Sequence, residues 1–174
     1  GVELDEVILP AMIIDVEIEG EEPDIALIDA VVTDDRFVGS RALLDADAIK
    51  KILLTRAEPA AVGMTSVGGL LKPVCEQEDI GLFLETGKKG TRVCAPIAPG
   101  MYQTLTIARV VEVGCDEPIS IKGPCVLAFD GERERVVRPE QKVHFRLSRC
   151  GPKILDIEKT MQLAAGRQLF SKLE

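Results

Sequence analysis

Short apolar runs with a two-residue period, each cut off by glycine or proline, recur along most of the chain and favour sheet over helix. Residues 14–19 read I-D-V-E-I-E, one face apolar and the other acidic. Residues 25–32 (IALIDAVV) are a continuous apolar run, as in a strand buried on both faces, and Asp29 lies inside it. Residues 80–86 and 91–97 flank Gly87-Lys88-Lys89-Gly90, which predicts a β-hairpin. Further strands are predicted at 60–62, 105–113, 118–121, 125–129, 134–138 and 142–148. In the last of these Val143, Phe145 and Leu147 alternate with Lys142, His144 and Arg146. Asp130-Gly131 is a hairpin signal, because glycine supplies the positive φ of a tight turn.

Two segments follow the helical period instead. Residues 45–54 (DADAIKKILL) offer Asp45 or Asp47 as a cap and Ile49, Leu53 and Leu54 as an apolar face. Residues 156–173 begin at a capping Asp156 and carry Ile157, Met161, Ala164 or Ala165, Leu169 and Phe170 in a stripe. That stripe, with Leu173, either packs on the chain's own sheet or docks on a neighbour. The expected fold is mainly β, a β-sandwich-like stack of antiparallel sheets with about two helices, one at the C-terminus. A length of 174 residues suits one domain.

Composition narrows the function. Apolar residues make up 46% of the chain but aromatic ones only 3%, so the core is built from Val, Ile, Leu and Ala. A net charge of -8 argues against nucleic acid or an anionic membrane as partner, since both need concentrated cationic charge. No apolar run approaches the ~20 residues that span a bilayer. The cysteines at 75, 94, 115, 125 and 150 form no C-x-x-C and none is close to His144, a poor spacing for zinc. Single cysteines in apolar runs such as RVCAPIA usually act as small buried hydrophobes, which suits the cytoplasm.

Few residues invite chemistry. His144, the only histidine, falls on the polar side of its strand, and no G-x-S-x-G supports a serine hydrolase. Asp29 reads either as a buried carboxylate, which needs a partner and marks a functional site, or as a surface residue at a strand end. Residues 63–69 (GMTSVGG) read either as a structural turn or as a loop whose N–H groups and hydroxyls, Thr65 and Ser66, hold a ribose or phosphate. The chain has neither G-x-x-x-x-G-K nor G-G-D-G. Phosphoryl transfer needs a phosphate cradle, so no catalytic residue is assigned and the isolated chain is expected to be inactive.

The order GMTSVGGLL, VCAPIAPG and GPCVLAFDGERE resembles the C-terminal domain of the ATP-NAD kinase family, in its branch named after acetoin catabolism protein X. ALIDAVVTDDRFVGSRALLD resembles the start of the same domain. The resemblance implies a two-domain protein whose N-terminal G-G-D-G-T domain is absent here. It implies ATP and NAD as ligands of the intact enzyme, which passes a phosphoryl group to NAD or a related small molecule, with no cofactor belonging to this chain alone. It also implies a homo-oligomer. The family's Asn-Glu pair falls on Asp29-Ala30, and its G-S-T-A-Y loop on residues 63–67, where Thr65 is retained. Asp29, Thr65, Ser66, Gly68 and Gly69 are therefore the expected nucleotide contacts. The alternative is an assembly or small-molecule-binding module without kinase activity.

Overall fold

Among the described residues the chain forms twelve strands in three antiparallel sheets. The computed structural model describes residues 1–34 and 46–171. After a 3-10 turn at Leu4–Glu6, the strands are β1 (Ile8–Pro10), β2 (Ile13–Ile18), β3 (Asp24–Ala26), β4 (Asp29–Thr33), β5 (Ile49–Leu54), β6 (Ile80–Ala98), β7 (Met101–Gly114), β8 (Ile119–Lys122), β9 (Cys125–Phe129), β10 (Arg133–Val137), β11 (Lys142–Ser148) and β12 (Lys153–Leu155). Helix α1 (Met64–Gly69) lies between β5 and β6, and α2 (Ile157–Gly166) follows β12. The six-stranded sheet runs β10-β9-β4-β5-β6-β7, the four-stranded one β3-β2-β11-β8, and β1 pairs with β12.

The six-stranded sheet is covered on both faces. Toward the four-stranded sheet it sends Ala30, Val32, Leu53, Leu127 and Phe129, which meet Ile14, Val16, Val143, Phe145 and Leu147. The opposite face sends Val31, Ile52, Leu54 and Leu84 against Met64 and Val67 of α1 and against Val93, Ala95 and Leu105. A two-residue period thus divides consecutive side chains of β4 and β5 between two cores. In the four-stranded sheet the partners are Val16 with Phe145 and Ile14 with Leu147, while Asp15 faces Arg146 on the wet side.

Several expectations change. The helix expected over 45–54 is a turn at 46–48 and then strand β5, with Asp45 outside the described residues. Its apolar residues serve two opposite cores from the middle of a sheet, and tertiary burial overrides the helical spacing. The strand expected at 60–62 is a turn leading into α1, so the second helix lies there. The hairpin expected around residues 87–90 is an excursion within the single strand β6, since Thr86 and Thr91 both pair with Ile107 of β7. The chain reverses instead at Gly100, which has φ +75°.

The cysteines are free. Cys75, Cys94 and Cys150 are exposed rather than buried. Cys94 points outward because its neighbours Val93 and Ala95 take the inward positions of β6. The C-terminal helix has the expected cap, with the Asp156 carboxylate accepting from the Lys159 N–H at 2.8 Å. Leu173 lies outside the described residues.

Candidate functional site: a carboxylate corner beside α1

The apolar run 25–32 is not one strand. It leaves the four-stranded sheet at Ala26, turns at Leu27-Ile28 and enters the six-stranded sheet at Asp29. The turn frees three backbone N–H groups, and the carboxylate of Asp130 collects them. Leu27 N–H donates to both oxygens at 3.0 and 2.9 Å, Ile28 N–H to Oδ1 at 2.7 Å, and Asp29 N–H to Oδ1 at 3.3 Å. Asp130 reaches them from the β9–β10 hairpin, where it and Gly131 have φ of +54° and +72°. The Asp130-Gly131 turn therefore forms as expected, and its carboxylate also ties the two sheets together.

Asp29 is half-buried at the start of β4. It shares a sheet face with Val31 and stands directly opposite Leu54. That is the face α1 covers, and Leu54 touches α1 at Gly68. Loss of water around Asp29, then the nearby Asp130 charge, raises its pKa from 3.8 to about 7. Among the described residues nothing hydrogen-bonds to the Asp29 carboxyl. A proton-holding carboxyl at neutral pH can donate a hydrogen bond as well as accept one.

On the solvent side of the corner, Arg133 and Arg135 converge on Asp24. Arg135 Nε donates to Asp24 Oδ2 at 3.0 Å, and Arg133 bonds to Asp24 and to the Ile25 carbonyl. Burial raises the pKa of the Asp24 carboxyl, but the Ile25 N–H that donates to it, then Arg135 and Arg133, hold it below its usual range. A cavity of about 170 Å³ opens nearby, lined by Met12, Leu27, Ile28, Thr55, Arg56 and Ile154 among others. Thr55 Oγ1 donates to the Leu27 and Ile28 carbonyls at 3.2 and 3.3 Å, and Arg56 is ion-paired with Glu58 and Glu76.

Thr65, Ser66, Gly68 and Gly69 all lie in α1 and are buried. The Ser66 hydroxyl donates to the Gly63 carbonyl at 2.7 Å. A methyl group on Gly68 would stand 2.4 Å from Leu54 Cδ1, and one on Gly69 would stand 2.3 Å from the Glu58 carbonyl carbon. Gly68 lets the helix backbone lie against Leu54 at the end of β5, and Gly69 lets it lie against the Glu58–Pro59 backbone that follows. The structure thus brings Asp29 and α1 to one sheet face, with Leu54 between them.

Reading along the chain missed Asp24, Arg133 and Arg135, and took Asp130 for a turn residue alone. The alternation of Arg133 and Arg135 on β10 was a visible signal, but their partner lies more than a hundred residues earlier. His144 is half-buried on the outer face of the four-stranded sheet, where its Nδ1 and Ser120 Oγ are 2.8 Å apart. Among the described residues no group of three or more His, Cys, Asp or Glu is placed to hold a metal ion. No helix among them is long and apolar enough to cross a membrane.

Comparison with known proteins agrees with the motif order. The family model described as the acetoin catabolism protein X C-terminal domain matches residues 12–150. Acetoin catabolism protein X of Cupriavidus necator is 34% identical over 158 residues, which are 88% of this chain and 44% of that protein. The chain therefore spans less than half the length of this curated relative. The match runs from β2 to just beyond β11 and includes the carboxylate corner and α1, so the chain belongs to the acetoin catabolism protein X C-terminal domain family.

Proposed function

We propose that this chain is the ligand-binding and oligomerisation domain of a two-domain protein similar to ATP-NAD kinases. In the intact enzyme a hydroxyl of NAD or of a related small molecule attacks the γ-phosphorus of ATP. The bond from that phosphorus to the bridging oxygen breaks, ADP leaves with the bonding electron pair, and the hydroxyl proton passes to water. This chain supplies polar contacts rather than the phosphate cradle. The observation that carries the reading is Asp29, a half-buried carboxyl without a hydrogen-bond partner among the described residues, on the sheet face that α1 covers. A partly desolvated carboxyl with a perturbed pKa is a candidate ligand contact, because a hydrogen bond from a ligand offsets the lost hydration.

Asp29 makes the direct polar contact in this proposal, and Asp130 holds the backbone corner that aims it. Thr65, Ser66, Gly68 and Gly69 shape the neighbouring wall.

Phosphorus NMR of the polypeptide expressed from the full reading frame, incubated with ATP and NAD, tests the proposal. A new phosphomonoester resonance is expected, with its rate lowered about tenfold or more by Asp29→Ala. If no phosphorylated product forms while NAD still binds, the kinase reading is lost and a binding module remains. If neither nucleotide binds, both readings are lost.

A further inference from the structure

Residues 87–90 interrupt β6 without ending it. Because Thr86 and Thr91 both pair with Ile107, Gly87-Lys88-Lys89-Gly90 is pushed out of the ladder while the sheet continues. Close packing holds the excursion. A methyl group on Gly90, whose φ is +150°, would stand 2.1 Å from the Ile107 carbonyl oxygen, and one on Gly87 would stand 2.9 Å from Ala108 Cβ. Extra residues inserted in a strand re-aim side chains and are over-represented beside functional sites. Here the insertion carries Lys88 to a cavity.

That cavity holds about 430 Å³, more than twice the volume of the one near the carboxylate corner. Its lining includes Asp47, Lys50, Thr86, Lys88, Thr104 and Thr106. It lies at the start of β5, beside Ile49, whereas Asp29 stands opposite Leu54 at the other end of that strand. At the usual strand rise the two ends are about 17 Å apart.

Two of the lining groups are already committed. The Lys50 ammonium pairs with Asp34 at 3.0 Å and donates to the Asp47 carbonyl at 2.8 Å. The Thr86 hydroxyl donates to the Ile49 carbonyl. By contrast, Lys88 and the hydroxyls of Thr104 and Thr106 have no hydrogen-bond or ion-pair partner among the described residues. Leu105 is buried between the two threonines, so both threonines point to the opposite face, and Arg92, exposed, stands directly across from Thr106. Two cations and two hydroxyls are thus left as donors on one rim of a chain whose net charge is -8. Several donors of this kind suit the terminal oxygens of a phosphate. A bare phosphate would leave most of the cavity empty, and the Asp47 carboxylate repels a second anionic group but accepts from a hydroxyl.

We propose that this cavity binds a small phosphomonoester with a hydroxylated organic part. Lys88 and Arg92 supply the charge, Thr104 and Thr106 donate to the phosphate, and Asp47 accepts from a ligand hydroxyl. The proposal does not rest on nucleotide binding at Asp29.

Amide NMR spectra of the 174-residue chain, titrated with glycerol 3-phosphate, test it. The amides of residues 47–50, 86–90 and 104–106 are expected to shift saturably, and inorganic phosphate and glycerol should each bind more weakly. Lys88→Gln should weaken binding about tenfold or more, as expected for a lost hydrogen bond from a charged donor. Lys89→Gln, which alters the same exposed excursion and the same net charge, should change it less than about threefold. An absence of saturable shifts at these residues overturns the proposal. So does equal weakening by the two substitutions, which would show diffuse attraction only, or inorganic phosphate binding as tightly as glycerol 3-phosphate.

Discussion

Asp29 makes folding depend on pH in a direction opposite to that of a salt-bridged carboxylate. In the folded chain it holds its proton up to about pH 7, whereas its ordinary value is 3.8. The native state therefore binds more protons between these values, and stability from this site is full below about pH 4 and is lost as pH rises through 7. The span corresponds to about 4 kcal/mol at most, less what solvent at the half-buried group screens away. Asp29→Asn should remove the slope between pH 4 and 8 and be the more stable protein at pH 8, by about 2 kcal/mol. Urea unfolding across that range measures it, and an unchanged slope would disprove the assignment. Asp29 was legible in the sequence because a carboxylate stood inside an apolar run. The partnership of Asp130 was not, because its N–H donors lie at residues 27–29 and are exposed only by a bend between sheets.

Elements were legible where one side of a strand met water. In β2 and β11 the alternation gave away which side chains face the core, and their order along the chain matches the observed register. It failed for β5, where both faces are buried and the spacing of Ile49, Leu53 and Leu54 mimics a helix. It failed again at α1, whose glycines read as a loop. Their helix forms because absent side chains permit contact, which no propensity records. Gly69→Ala should accordingly cost about 1–3 kcal/mol, since its methyl group meets the Glu58–Pro59 backbone and neither can yield. Gly166→Ala, with nothing within 4 Å of the added methyl, is the control and should stay within about 0.5 kcal/mol. Chemical denaturation of both variants checks the pair. Equal costs would mean that α1 does not lie against residues 58–59 as described.

At the scale of the molecule, one six-stranded sheet is the shared wall of two cores, and this decides how the chain comes apart. Strands β4, β5 and β9 put alternate side chains into each core, so neither can melt while those strands stay paired. The layered, mainly β class was visible from the density of short strands and turns. The sharing was not, because it depends on which strands become central. Phe129 is fully buried between the two sheets, and Leu54 is fully buried against α1 on the other side. Phe129→Ala should cost about 3–5 kcal/mol and Leu54→Ala about 2–5 kcal/mol, the removed area and the cavity left behind both contributing. Each substitution should lower one common transition, not a transition of its own half. Hydrogen exchange resolved by residue distinguishes the cases. In either variant the amides of β2 and β11 and those of β5 and β6 should be deprotected by the same factor, because all open only when the central sheet does. If Leu54→Ala deprotects β5 and β6 while β2 and β11 keep their full protection, the two cores are independent and the central sheet is not the unit that holds the fold.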